Sequence, residues 1–263
     1  MKIYWIIGTL LAITSLIVAG RIAGSTPPLP EPPKPKPNRD VDLPSGPVPK
    51  QAGPAGIEWI YSAPANVFFA KTETTVAQYR ECVKIGICPE TKNASQSKYC
   101  NWGSNREDTN PINCVDFLQA KAFCIFAHGR LPRDDEWIAE ASNEGIRKYP
   151  WGDEKPSCEF TVMDDHGKGC GRVSTWPVCS KPSGNSVSGL CDMSGNVSEW
   201  TSYLDQPSRD GGGGAWAVDD PAMFSSSFRS RNIPTGSGSN FGLRCVRPFR
   251  LPDRSARPSE GGE

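Results

Sequence analysis

Ten cysteines constrain this chain more than any other feature. All lie between Cys82 and Cys245, none forms a C-x-x-C pair, and only two histidines are present, His128 and His166. Zinc sites show paired ligands at short spacing. The pattern therefore points to disulfides, and disulfides to an oxidising compartment. With 26 Gly and 25 Pro in 263 residues, few long periodic segments can coexist, and a loop-rich fold is expected.

The N-terminus agrees with export. Met1-Lys2 precedes an apolar run from Ile3 to Ala19, closed by Gly20-Arg21. As a helix this run spans about 25 Å, just enough to cross a bilayer core. Val18-Ala19-Gly20 also has the small residues of a cleavage site. Residues 1–25 are thus either a cleaved signal peptide or an anchor holding residues 3–20 in the inner membrane. The remainder is placed in the periplasm or on the cell surface. Residues 26–55 hold eleven prolines, the composition of an extended polyproline II spacer. The globular domain is expected over residues 56–248, and residues 249–263 read as a disordered tail. Lys+Arg and Asp+Glu both number 29, so net charge gives no steering toward nucleic acid.

Local signals place the first elements. Ile57-Glu58-Trp59-Ile60-Tyr61 is a strand candidate. Thr75-Val76-Ala77-Gln78 has capping-box form and opens a helix to about Lys84. Asp116-Phe117-Leu118-Gln119 repeats that form ahead of Ala120–Phe126, with Gly129 as the expected C-terminal stop. A third helix is expected from Arg133 to about Ala141. After Pro150 the chain reads as turns, short strands and loops.

Seven segments, in order, resemble the formylglycine-generating (sulfatase-modifying) family. They are Lys71–Tyr79; Pro111–Val115 with Ala122-Phe123-Cys124; Gly129–Trp137; Tyr149-Pro150-Trp151-Gly152; Gly189–Trp200; Gly213-Gly214-Ala215-Trp216; and Phe241–Cys245. The resemblance covers residues 57–248. It implies an irregular, loop-rich α+β fold related to C-type lectins, with little regular secondary structure. Formylglycine-generating enzymes oxidise a substrate cysteine with a cysteine pair and a copper ion, and that pair follows the Gly-Gly-x-Trp segment. Here the stretch from Ala217 to Ser227 holds no cysteine, and none occurs between Cys191 and Cys245. A serine hydroxyl such as Ser225 is far less acidic than a thiol and a poor ligand for Cu(I). Ala215, Gly212 and Ser198 also stand where the family has serine, arginine and tryptophan. Copper is therefore not expected, and no catalytic residue is assigned.

The resemblance carries further expectations. It implies structural calcium at the Gly195–Glu199 loop, through Asn196 and Glu199; calcium favours hard oxygen ligands. The other reading of the same residues has Asn196 shaping a tight turn and Glu199 pairing with a buried arginine such as Arg244. Trp200, with Trp216, would line the substrate groove. Arg130, Glu136, Trp137 and Trp151 read as core packing and ion pairs. Family position pairs Cys124 with Cys245. Sequence neighbourhood pairs Cys82 with Cys88, Cys100 with Cys114, Cys158 with Cys170, and Cys179 with Cys191, although connectivity does not follow from sequence alone. Cys179 and Cys191 replace non-cysteine family positions and are the first candidates for a free thiol.

The reading that results is an exported, disulfide-stabilised, non-catalytic binding or structural module of the cell envelope. It would present the loops of residues 203–240 to an envelope protein or a glycan. The alternatives are a formylglycine-generating-type oxidoreductase acting on exported proteins, or a related enzyme acting on siderophore-like metabolites.

Overall fold

A computed structural model describes residues 54–91, 97–104, 108–203 and 206–249. The expected leader or anchor (1–25), nearly all of the spacer (26–55) and the tail beyond Phe249 lie outside the described residues. Among the described residues, no helix is long and apolar enough to cross a membrane.

Strand β1 (Trp59–Ser62) pairs antiparallel with β2 (Val67–Ala70). Helix α1 spans Val76–Lys84, α2 Phe117–Phe126 and α3 Asp134–Ser142. Both expected capping boxes are formed: Thr75 Oγ1 accepts from Gln78 N, Asp116 Oδ1 accepts from Gln119 N, and each glutamine side chain accepts from the cap backbone. These reciprocal bonds satisfy orphan amides at the first turn. The chain then gives β3 (Ser198–Tyr203), β4 (Gln206–Gly212), β5 (Arg229–Arg231), β6 (Phe241–Gly242) and β7 (Val246–Pro248). Two sheets result, ordered β1-β2-β7 and β5-β4-β3-β6, the β3–β6 pair being parallel. Long loops connect these short elements, as the Gly and Pro content implies.

The end of α2 corrects one expectation. Gly129 is not the left-handed stop; His128 takes that conformation, with φ 56°. Gly129 N donates to Cys124 O at 2.8 Å and closes the helix. Gly129 is needed for a different reason: a β-carbon there would collide with the Val246 carbonyl oxygen of β7. The last strand therefore lies directly on the loop after α2, where Arg130 and Val246 exchange backbone bonds of 2.9 and 2.8 Å.

The main core joins Ile57, Trp59, Tyr79, Phe123, Trp200 and Leu243, and a second cluster gathers Phe69, Trp137, Leu190, Met193 and Val246. Five disulfides brace the loops: Cys82–Cys88, Cys100–Cys114, Cys124–Cys245, Cys158–Cys170 and Cys179–Cys191. Cys124–Cys245 ties α2 to the residue before β7 across 121 positions.

Candidate functional site

The Gly189–Trp200 segment and the Gly211–Gly214 run meet at the centre of the fold. Gly195 has φ 94°, and a β-carbon there would collide with Thr161 Oγ1. Asn196 follows in the left-handed region, φ 59°. Its Oδ1 accepts from Trp176 N at 2.9 Å, while Nδ2 donates to Glu73 Oε2 at 2.7 Å and to Trp176 O at 3.2 Å. Asn196 is a clamp between three loops.

Glu199 is 1 % exposed and Arg244 is fully buried. Arg244 Nη2 lies 2.8 Å from Glu199 Oε1, and Trp137 Nε1 donates to Glu199 Oε2 at 2.9 Å. The remaining guanidinium donors reach the carbonyls of Ala70, Lys71 and Cys191. A buried ion pair needs this saturation, because desolvation otherwise exceeds the Coulombic gain. Two more buried carboxylates stand in the field of this pair, and sequence reasoning missed both. Glu73 Oε1 accepts from Val197 N at 2.9 Å, and Asp192 Oδ2 accepts from Cys179 N at 2.6 Å. Burial, reinforced by Asp192 and Glu199, raises the Glu73 carboxyl well above its usual range. Burial likewise raises Asp192 to about 6, against the lowering effects of the Cys179 N–H and Arg244.

Asn196 and Glu199 are thus not disposed as calcium ligands. The Asn196 oxygen and both Glu199 oxygens already accept hydrogen bonds, and a cation at Glu199 would face the Arg244 charge. The residues present do not fit that ion. Among the described residues, no group of three or more His, Cys, Asp or Glu is placed to hold a metal. Copper fits no better, because all ten cysteine sulfurs are paired in disulfides. Cys179 and Cys191, the expected free-thiol candidates, are bonded to each other.

The expected groove residues are also corrected. Trp200 is fully buried, edge-on to Phe117, and its Nε1 donates to Val115 O at 2.9 Å. β3 runs between β4 and β6, and residues 198–202 are buried on both faces, so Trp200 cannot face outward. Trp216 is 4 % exposed, packed on Tyr99, with Nε1 donating to Ser239 O at 3.0 Å. Gly212 and Gly214 lie against the rings of Trp137 and Phe224. Ser198 is buried and donates to Gly214 O at 2.7 Å. Arg130 and Glu136 form an ion pair with each other, at 2.6 Å. His128 and His166 are exposed.

This architecture, with the Gly195–Trp200 loop clamped on Arg244, carries a recognisable sequence profile. The profile described as "Sulfatase-modifying factor enzyme 1-like domain" matches residues 57–249. The chain belongs to this family. Among curated relatives, "Inactive C-alpha-formylglycine-generating enzyme 2" of Bos taurus is 33 % identical over 155 residues, 52 % of this chain and 50 % of that protein. "Hercynine oxygenase" of Mycobacterium tuberculosis is 30 % identical over 148 residues, 47 % of this chain and 33 % of that protein. "Formylglycine-generating enzyme" of Streptomyces coelicolor is 30 % identical over 177 residues, 56 % of this chain and 55 % of that protein. The chain spans between a third and just over half of these relatives' lengths. Among solved structures, PvdO from Pseudomonas aeruginosa superposes with a TM-score of 0.55 at 18 % identity, covering 70 % of this chain and 80 % of that one. CarF gives 0.54 at 21 %, covering 70 % and 87 %. These likenesses show the fold alone.

Proposed function

We infer that this family member is a non-catalytic binding or structural module working in an oxidising, extracytoplasmic compartment. The observation that carries the reading is the state of its sulfurs. Thiol oxidation on the pattern of the family needs a reactive thiolate. Here every cysteine is spent on a disulfide, and the stretch from Ala217 to Ser227 offers hydroxyls instead. Two further features support it. The glycine run and Trp200 are packed into the core rather than open to a substrate, and one relative is itself named as inactive. Five disulfides support the compartment. The exposed stretch 219–222 belongs to the 203–240 loop surface, where an envelope protein or glycan would dock.

The test is incubation of the full-length protein with a Cys-x-Pro-x-Arg peptide, copper and oxygen, followed by mass spectrometry. The peptide is expected to keep its mass. A copper-dependent loss of about 18 Da, the conversion of CH2SH to CHO that such oxidative chemistry gives, would restore the oxidoreductase alternative.

A further inference from the structure

Two cations share one indole. The Arg172 guanidinium carbon lies 4.5 Å, and Lys181 Nζ 4.7 Å, from the centre of the Trp176 ring. The two charges are therefore no more than about 9 Å apart, where they repel. Neither forms an ion pair among the described residues. The Trp176 Nε1–H is buried without an acceptor. Burial lowers the Lys181 ammonium from its ordinary range, which marks a charge short of solvation.

The backbone that carries this repelling arrangement is braced covalently. Arg172 stands two residues beyond Cys170 of the Cys158–Cys170 disulfide, and Lys181 two residues beyond Cys179 of the Cys179–Cys191 disulfide. The Trp176 backbone between them is clamped at both its N–H and its carbonyl by Asn196. A site whose backbone is set before the ligand arrives has only its side chains left to order on binding.

We propose that Arg172, Trp176 and Lys181 form a binding site for a tetrahedral oxyanion, a phosphate or sulfate that is either free or esterified to a sugar. The anion would neutralise the two unpaired cations through charge-assisted hydrogen bonds. It would also supply the acceptor that the indole N–H lacks once the two flexible side chains move to engage it. The partly exposed indole offers apolar surface to a sugar bearing the ester. This goes beyond the non-catalytic reading and does not depend on it, since the peptide assay above has no bearing on this surface.

The experiment titrates the full-length protein with sodium phosphate, sodium sulfate and glucose 6-phosphate at ionic strength held constant with sodium chloride. The readout is the indole N–H resonance of Trp176, assigned by its loss in Trp176→Phe. Saturable movement is expected with an oxyanion and not with chloride. Arg172→Gln with Lys181→Gln should weaken affinity at least about tenfold, while Lys181→Arg, which keeps the charge and adds donors, should retain saturable binding. Glucose 6-phosphate binding as tightly as phosphate assigns the esterified source; binding of the free ions alone assigns the other. Equal movement with chloride, no saturation with any oxyanion, or unchanged affinity in the double glutamine variant would overturn the proposal.

Discussion

The Arg244 guanidinium lies 2.8 Å from the Glu199 carboxylate, with both side chains out of water. The pair joins the end of β2, the Cys191 loop and β3, because Arg244 also donates to Ala70, Lys71 and Cys191 carbonyls. Arg244→Met leaves Glu199 buried without its cation. The expected loss is about 3–5 kcal/mol, measured by urea unfolding. Glu199→Gln combined with Arg244→Met should cost less than the two single losses added together, since the partners act as one unit.

The charges around that pair make stability depend on pH. Three carboxylates, those of Glu73, Asp192 and Glu199, share the field of one guanidinium. A carboxyl whose pKa is raised on folding binds its proton more tightly in the folded state. Its contribution is full in acid and is lost as pH rises from the ordinary carboxylate range through the folded value. For Asp192 that window ends near 6, and the loss is about 2–3 kcal/mol, or roughly 5–10 °C in Tm. Thermal melts between pH 4.5 and 7.5 should show Tm falling, and Asp192→Asn should reduce the slope below pH 6 while the raised Glu73 carboxyl keeps part of the fall. A Tm that rises across the same range would refute the sign.

Calcium provides an independent check on the Gly195–Glu199 loop. With the side-chain oxygens of Asn196 and Glu199 already accepting hydrogen bonds, added calcium should leave Tm within error of a chelated control. A calcium-dependent rise that Glu199→Ala removes would show that the ion displaces Arg244 and would reinstate the sequence expectation.

Among the disulfides, loop length sets the expected rank. Cys124–Cys245 spans 121 positions and Cys82–Cys88 spans 6. In the chain-entropy account, removing the first costs about 5 kcal/mol and removing the second about 2. Paired alanine substitutions compared by denaturant midpoint test this. Equal losses would mean that native contacts, not loop closure, dominate.

What the sequence disclosed and what it withheld divides along physical lines. The capping boxes at Thr75 and Asp116 were legible because they depend on residues three apart. The Cys124–Cys245 position came with the family resemblance, and the short-range pairs from neighbourhood. Trp200 was misread because its direction depends on β3 being interior to its sheet, which no local pattern states. Glu73 and Asp192 were missed because an isolated carboxylate carries no sign of burial; only the convergence of loops more than a hundred residues apart creates it. The Arg172–Trp176–Lys181 group was hidden for the same reason, being assembled by two disulfides and one asparagine.

The His128–Gly129 dipeptide allows the sharpest separation of local from tertiary cause. His128 has φ 56°, a region where a β-carbon is strained and glycine is not. Its side chain is exposed, so little packing opposes replacement. His128→Gly should therefore stabilise the domain by about 0.5–1 kcal/mol, the usual gain of glycine at a left-handed helix end after its greater unfolded-state freedom is counted. Gly129→Ala should act in the opposite direction, though Gly129 does not have positive φ. Its added methyl would meet the Val246 carbonyl, whose position is fixed by the bond that Arg130 N donates to it and by the pairing of β7 with β2. Moving that carbonyl disturbs the last strand next to the Cys124–Cys245 bridge, at a cost of about 1–3 kcal/mol. Urea midpoints for the two variants should move in opposite directions. If Gly129→Ala proves neutral, β7 does not press on the end of α2.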